Sequence, residues 1–254
     1  MQFSVLGKGA YSTVFQLGQR AYKPFDLVAP SVKCDQLVQF ESVKRALHEH
    51  QSALAIDVDI DTMRLRGKSV SAISMPYSPF ITSLDKQPDW HRPTQEQMRA
   101  LSTWLDNIIA ELQRCRVIML DFKMANILGD SSKDTFMLCD WDSLATLEDA
   151  TTFVDDISPI PRGTYDPFCS DHPATFTEKA LKYAMIFAAA VTISVAYYNR
   201  IPQLSRPLNA TDLEKRYRAM RMRLSTCLGD SPAWFVMPSG LVEELVDQGF
   251  FLDQ

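Results

Sequence analysis

The chain has 254 residues, of which 46% are apolar and 22% charged, and this balance excludes a disordered or collagen-like protein. Its formal net charge of −5 and its pI near 5.4 argue against a dedicated nucleic-acid-binding protein, which would carry a strongly basic surface. The five cysteines are odd in number and form no Cys-x-x-Cys pair, so we expect no disulfide framework, no structural zinc site and a reducing compartment.

Two stretches of sequence bear on where the protein is found. The N-terminus lacks a basic segment followed by an apolar one, so we expect no signal peptide and a cytoplasmic protein, with delivery into a host cell left open. The longest uncharged stretch, residues 183–198, is short for a membrane span. We therefore expect no transmembrane segment and interpret this stretch as a helix buried in a large core.

The first strands of the chain are predicted to form a hairpin. Residues Thr13–Leu17 and 20–25 flank Gly18 and Gln19, a Gly-x pair that suits a type II′ turn. Pairing across that turn places alternate side chains on one face of the hairpin: Val14, Gln16, Ala21 and Lys23. Further strands are predicted over 3–6, 55–65 and 69–77. A helix that Asp35 could cap is predicted between the hairpin and the strand over 55–65.

After Pro79 the sequence becomes mainly helical. Apolar residues at helical spacing predict a helix over 94–114 and another at about 178–198. Two short apolar runs, 117–120 and 136–139, are interpreted as strands, and a polar segment with several prolines follows at 143–177. A strand-rich front and a helix-rich back predict an α+β fold of two lobes with a cleft between them.

The glycines near the N-terminus indicate a phosphate-binding loop. Gly7 and Gly9 lie between two predicted strands, where the missing side chains let the backbone approach a phosphate, although a plain hairpin turn is the better explanation of the glycines taken alone. Lys23 can reach the α- and β-phosphates of a nucleotide under such a loop. Glu41, in the predicted helix, is the carboxylate expected to hold Lys23. Glu49 is the weaker candidate.

The strongest signal in the sequence is a polar loop that follows an apolar strand. Asp121 and Asn126 are close enough in sequence to point at one site, with Lys123 between them. An aspartate can accept a proton from a hydroxyl nucleophile, and a lysine can neutralise a γ-phosphate. Asp140 ends the next predicted strand. One asparagine and one aspartate suit Mg²⁺, which takes hard oxygen ligands.

These motifs together resemble a eukaryotic-type protein kinase catalytic domain over nearly the whole chain. The resemblance implies one bilobal kinase domain, with an N-lobe at 1–77 built on a small antiparallel sheet and one main helix, a hinge at 78–80 and a mostly helical C-lobe at 81–254. It implies ATP and Mg²⁺ as cofactors, with Mn²⁺ as an alternative metal. The matching residues are the glycine-loop Gly7, Gly9 and Val14, the nucleotide-binding Ala21, Lys23 and Glu41, the hinge Met75, Tyr77 and Ser78, the catalytic Asp121 and Lys123, and the metal-binding Asn126 and Asp140.

The sequence departs from the kinase pattern at several positions. Ser12 replaces the third loop glycine, and Asp142 replaces the glycine that usually follows the metal-binding motif. Leu120 stands where an arginine normally precedes the catalytic aspartate. The resemblance therefore implies a divergent, compact member, similar to bacterial or viral effector kinases, whose activity does not depend on activation-loop phosphorylation.

Three functions remain open at this point. Residues 161–167 resemble the end of an activation segment, and Thr164 favours a serine/threonine protein kinase. The run from Asp140 to Asp142 also resembles small-molecule phosphotransferases of the aminoglycoside and choline kinase type, which usually have histidine where Lys123 stands. A pseudokinase that binds nucleotide and acts as an interaction module is the third.

A basic run near the C-terminus is a candidate partner surface. Lys215, Arg216, Arg218, Arg221 and Arg223 alternate with apolar residues at helical spacing. The simpler interpretation is a solvated helix face over the core. An acidic protein or lipid partner at this run is the alternative.

Overall fold

A computed structural model describes residues 4–8, 13–25, 30–55, 58–65, 67–77, 81–119, 121–130, 135–152, 167–168, 176–203 and 207–251. Within these ranges, only the backbone is described for residues 30–36, 55 and 151–152. The chain divides into two compact units, Met1–Ile81 and Thr82–Gln254. The first unit holds the larger sheet, and the second holds most of the helices. The α+β class is confirmed, and the interpretation of the units as kinase lobes joined by a hinge at 78–80 stays a prediction.

The first unit is built on a five-stranded antiparallel sheet. Its strands are β1 (Ser4–Lys8), β2 (Thr13–Leu17), β3 (Arg20–Pro24), β4 (Asp59–Leu65) and β5 (Lys68–Pro76). They lie in the order β1-β2-β3-β5-β4, so that β3 is central. All of the pairings between them are antiparallel.

The predicted hairpin between β2 and β3 is confirmed. Gln16 pairs with Ala21, and the turn residue Gly18 has a φ of +62°. Gln19 has no positive φ, which excludes a type I′ turn and agrees with type II′. A side chain at Gly18 would be strained by that backbone conformation, so the glycine is what allows so tight a connection.

One helix, α1 (Pro30–Glu49), accompanies this sheet. The expectation that Asp35 caps it was wrong, because the helix begins five residues earlier at a proline, a residue whose fixed φ suits the first helical turn. Phe40, Val43 and Leu47 are buried along one stripe of the helix. Lys44 forms an ion pair with Asp59, which ties α1 to the first residue of β4.

The second unit is organised around a buried helix. Its helices are α2 (Gln95–Arg114), α3 (Leu147–Thr152), α4 (Glu178–Tyr198), α5 (Ala210–Leu228) and α6 (Leu241–Asp247). Thr94 and Gln97 form a capping box at the start of α2, where they satisfy backbone N–H groups that the helix leaves unpaired. Helix α4 is the one described helix long and apolar enough to cross a membrane, but 83% of its most apolar window is buried within the protein. That burial agrees with its interpretation as a core helix.

Two small antiparallel sheets complete the second unit. One pairs β7 (Val117–Met119) with β10 (Leu144–Thr146), and the other places β8 (Ile127–Asp130) between β6 (Thr82–Ser83) and β9 (Thr135–Leu138). Only β7 and β9 of these strands were predicted. The others are two to four residues long and acquire their strand geometry from partners that are distant in sequence, which periodicity does not detect.

Candidate functional site

The loop that follows β7 presents two charged side chains around a buried aromatic ring. Phe122 is fully buried, whereas its neighbours Asp121 and Lys123 are only partly buried. Lys123 Nζ is 2.5 Å from Asp121 Oδ2. The side chain of Asp121 is 17% exposed and that of Lys123 is 38% exposed. The acid and the base of this loop are therefore in contact with each other and flank a buried ring in sequence.

Asn126 connects the loop of Asp121 with the second aspartate of the site, Asp140. Its Nδ2 donates to the backbone carbonyl of Asp121 at 2.9 Å and to Asp121 Oδ2 at 3.0 Å. The same nitrogen lies 3.3 Å from Asp140 Oδ2. Because the amide nitrogen serves these acceptors, the amide oxygen Oδ1 is the atom of Asn126 that could take a cation.

The carboxylate of Asp140 is held in place by an unusual backbone conformation. Asp140 has φ 65° and ψ 46°, in the left-handed region that aspartate tolerates better than most residues. Its carbonyl accepts hydrogen bonds from the backbone N–H of Ser143 at 2.9 Å and from Ser143 Oγ at 2.7 Å. The indole of the buried Trp141 donates to Leu138 O at 3.2 Å. These contacts fix the turn that carries Asp140.

The two loops of the site are linked by the strands that flank them. Ile127 pairs with Leu138 in the antiparallel ladder between β8 and β9. Just beyond that pair, the backbone N–H of Cys139 donates to Asn126 O at 3.0 Å. Asn126 and Asp140 are therefore brought together by continuous backbone pairing, so their contact does not depend on long flexible side chains.

This group combines acidic and amide oxygens with the ammonium group of a lysine. Two carboxylates and an amide oxygen are hard ligands, and Lys123 supplies a positive charge beside them. In the part of the chain that the structure describes, no group of three or more His, Cys, Asp or Glu side chains could hold a metal ion. A metal here would have to be shared between Asn126, Asp140 and oxygens from a ligand or water.

The predicted nucleotide-binding residues lie in the first unit. Gly7 is part of β1, where it pairs with Val14 next to a register irregularity. On the neighbouring strands Ala21 pairs with Met75, and Lys23 pairs with Ile73. The central strand β3 therefore carries the predicted lysine.

Three further candidates of the first unit lie within the described residues. Glu41 is an exposed residue in the middle of α1, and its pairing with Lys23 stays a prediction. Glu49 is exposed at the last position of that helix. The backbone N–H of Tyr77 donates to Gln19 O at 2.9 Å, so that this N–H is already engaged within the sheet.

Several predicted positions lie outside the described residues. They are Gly9 and Ser12 of the glycine loop, Ser78 of the hinge, Leu120 before the catalytic aspartate, and Thr164. The interpretations attached to them stay predictions. Asp142 is described and lies in the short helical turn after Asp140, where it is half-buried.

The basic run of α5 is less available to a partner than its sequence indicates. Arg216 is 5% exposed and its guanidinium lies 5.2 Å from the centre of the Phe187 ring. Arg223 stacks 4.3 Å from the centre of the Tyr198 ring. Two others pair with acids of their own helix, Lys215 with Asp212 and Arg218 with Glu214. These contacts favour the interpretation of a helix face packed over the core.

One residue that contacts the loop of Asp121 was not predicted from the sequence. Thr192, in the buried helix α4, donates from its Oγ1 to Phe122 O at 2.8 Å. A threonine within a run of apolar residues gives no periodic signal, and it lies 70 residues from its partner. The only feature that could have indicated it is its polar side chain at a position predicted to be buried.

Comparison with known proteins adds no family to this description. No protein-family model matches the chain, and no curated protein matches it significantly.

Proposed function

We propose that the chain is an ATP- and Mg²⁺-dependent protein kinase that phosphorylates serine or threonine. The observation that carries the proposal is the meeting of Asp121, Asn126 and Asp140, with Lys123 beside them, in one site of the second unit. A general base, a phosphate-neutralising cation and metal-binding oxygens are what phosphoryl transfer to a hydroxyl requires. The proposed fold is accordingly the bilobal kinase fold, which is compatible with the observed α+β architecture.

In the proposed reaction, Asp121 orients the acceptor hydroxyl and takes its proton. Oδ2 of Asp121 already accepts from Lys123 and Asn126, so Oδ1 is the oxygen that would accept the proton. The hydroxyl oxygen forms a bond to the γ-phosphorus as the bond from that phosphorus to the β-phosphate oxygen breaks, which yields ADP. Lys123, 38% exposed, can leave Asp121 and neutralise the charge that develops on the transferred group.

The donors at the site fit a magnesium ion. Asn126 would contribute Oδ1 and Asp140 a carboxylate oxygen, which matches the few protein ligands that Mg²⁺ takes when phosphates supply the others. A magnesium ion held there would supply positive charge that neutralises the phosphates of ATP. In the first unit, Lys23 is proposed to bind the α- and β-phosphates, and Glu41 to hold Lys23.

A protein acceptor is preferred to a small molecule because of Lys123. Lys123 contacts Asp121 and occupies the position at which aminoglycoside and choline kinases usually carry histidine. The proposed serine/threonine specificity rests on Thr164 alone. The proposed location is the cytoplasm, of the producing cell or of a host into which the protein is delivered.

The decisive experiment measures where labelled phosphate goes. The protein is incubated with γ-labelled ATP and Mg²⁺, with a panel of proteins in one set of reactions and aminoglycosides, choline and sugars in another. Label on serine or threonine of a protein is expected. Transfer to a small molecule would replace the proposal with the small-molecule phosphotransferase, and nucleotide binding without transfer would indicate a pseudokinase.

An Asp121→Asn variant separates enzymatic transfer from contamination by another kinase. The substitution keeps the shape of the side chain and removes its ability to accept a proton. The matched control is Asp106→Asn, at an exposed position of α2 in the same unit. Label transfer should disappear in the first variant and persist in the second, whereas equal transfer by both would contradict the assignment of Asp121.

A further inference from the structure

We propose that Thr192 is a positioning residue, which holds the loop of Asp121 in its working conformation from the core of the second unit. This inference rests on the proposed function for its kinetic consequence. The contact itself is independent of that function: Thr192 Oγ1 donates to Phe122 O at 2.8 Å. Phe122 lies between Asp121 and Lys123, so a shift of its carbonyl would move both charged side chains.

The contact lies in a fully buried environment. Thr192 and Phe122 both have 0% exposure, and water therefore has no access to replace a lost hydrogen bond. A buried carbonyl that loses its donor keeps the whole cost of its desolvation. The loop would have to move, or admit water, to recover a partner for Phe122 O.

The hydroxyl proton of Thr192 has two acceptors within reach. Ala188 O lies 3.0 Å from Oγ1, one helical turn earlier, as is common for threonine in a helix. The Ala188 carbonyl is also positioned to accept the backbone N–H of Thr192 in the regular ladder of α4. Phe122 O belongs to a loop without such a ladder, and it is the closer of the two acceptors. The side chain therefore matters more to the loop than to the helix.

A second contact from the same helix supports this arrangement. Met185, two turns before Thr192 on α4, lies with its Sδ 3.5 Å from the backbone N of Met119 at the end of β7. The helix thus contacts the chain on both sides of Asp121. A sulfur acceptor is weak, so we assign the positioning mainly to the threonine hydroxyl.

The same helix offers a matched control at Ser194. This residue is also 0% exposed, and its Oγ accepts from Arg223 Nε at 2.9 Å, away from the loop of Asp121. Ser194→Ala removes a buried hydroxyl from α4, as Thr192→Val does. A purely structural role for Thr192 would make the two variants behave alike.

The test compares Thr192→Val, Thr192→Ser and Ser194→Ala in the full chain by steady-state kinetics and thermal unfolding. We expect Thr192→Val to lower kcat about tenfold with little change in KM for ATP, because misplacement of reacting groups acts on the chemical step. Thr192→Ser should restore kcat, since it keeps the hydroxyl. Ser194→Ala should lose thermal stability but keep kcat. Equal kcat in Thr192→Val and Ser194→Ala would overturn the proposal.

Amide hydrogen exchange tests the same inference without an activity. Two amides report on the site, Asn126 N–H, which donates to Lys123 O at 2.9 Å, and Cys139 N–H, which donates to Asn126 O at 3.0 Å. Both should exchange faster in Thr192→Val than in Ser194→Ala. Unchanged exchange would overturn the positioning role, even in a protein with measurable kinase activity. Faster exchange in a protein without phosphoryl transfer would retain it and reject the kinase assignment.

Discussion

Asn126 Nδ2 lies 3.3 Å from Asp140 Oδ2, although the two residues are 14 positions apart in sequence. The contact is produced by the pairing of β8 with β9, which places the residue before one strand beside the residues after the other. It brings a neutral amide and a carboxylate into one group next to Asp121. Substitutions of these residues can therefore test whether the group performs the proposed phosphoryl transfer.

Asp140 can be replaced in two ways that separate charge from backbone conformation. Asp140→Asn and Asp140→Ala should each lower phosphoryl transfer by about a hundredfold or more, because both remove a charged metal ligand. Only Asp140→Ala should also lose roughly 1 kcal/mol of stability, since alanine tolerates the left-handed φ of 65° less well than asparagine does. Both variants should remain folded. Label transfer measures the activity of both variants, and thermal unfolding measures their stability. Full transfer activity in either variant would contradict the metal assignment.

Asn126→Asp tests the metal site through stability instead of activity. A third carboxylate would face Asp121 and Asp140 in a residue that is 6% exposed, and the free energy of unfolding should fall by about 2 kcal/mol. Mg²⁺ should raise the melting temperature of this variant more than that of the unmodified protein, because it neutralises the added charge.

Asn107→Asp is the control for that experiment, since it adds the same charge at an exposed position of α2. Its melting temperature should not respond to Mg²⁺ differently from that of the unmodified protein. An equal response of Asn126→Asp and Asn107→Asp to Mg²⁺ would contradict a site at Asn126.

The replacement of the usual arginine by Leu120 predicts how activity is regulated. Without that arginine, a phosphorylated activation loop lacks its usual partner, so phosphorylation should be dispensable. Protein treated with a phosphatase, and verified by mass spectrometry to carry no phosphate, should transfer label at an unchanged rate. A strict requirement for phosphorylation would overturn this inference.

Glu178 predicts a pH-dependent contribution to stability in the second unit. Lys182 holds the pKa of the Glu178 carboxyl below the usual value of 4.5 through a hydrogen bond and its positive charge. Partial burial opposes this lowering of the pKa, and Arg116 adds to it. A lowered pKa stabilises the folded chain at pH values above the unfolded pKa, and this contribution disappears as the pH falls through the folded value.

Glu178→Gln should therefore lower the free energy of unfolding at pH 7 by less than about 1 kcal/mol, because its side chain is 42% exposed and solvent weakens the pair. The difference from the unmodified protein should shrink as the pH falls below the usual range for glutamate. Glu243→Gln, at an exposed position of α6, should show no comparable effect. A difference at pH 7 that persists at low pH would contradict an electrostatic origin.

The sequence predicted the elements whose signals are local. The Gly18 turn and the helix predicted over 94–114 depend on the pattern of neighbouring residues, and the structure confirms both. The predicted start of α1 was wrong. Asp35 lies inside the helix, where a polar residue can resemble a cap, and the helix begins upstream of it at Pro30. Strand β8 was missed, because four residues acquire strand geometry only from their partners.

The candidate site also contains both residues with a local sequence signal and residues that depend on distant contacts. Asp121, Lys123 and Asn126 were predicted to converge because they share one loop, and the contacts between them agree. The support from Thr192 could not be predicted, since only the packing of α4 against that loop brings a hydroxyl to Phe122 O. Spacing identifies residues that act together along the chain, whereas support from a distant helix becomes visible only after folding.

The contact between Thr192 and Phe122 also has a consequence for biosynthesis. The loop of Asp121 precedes its anchor by 70 residues, so a ribosome completes the loop long before it completes α4. Until that helix has left the exit tunnel and packed, the nascent chain carries Phe122 O without its buried donor. The site should therefore reach its final geometry late in translation, and fragments that end before Glu178 should lack it.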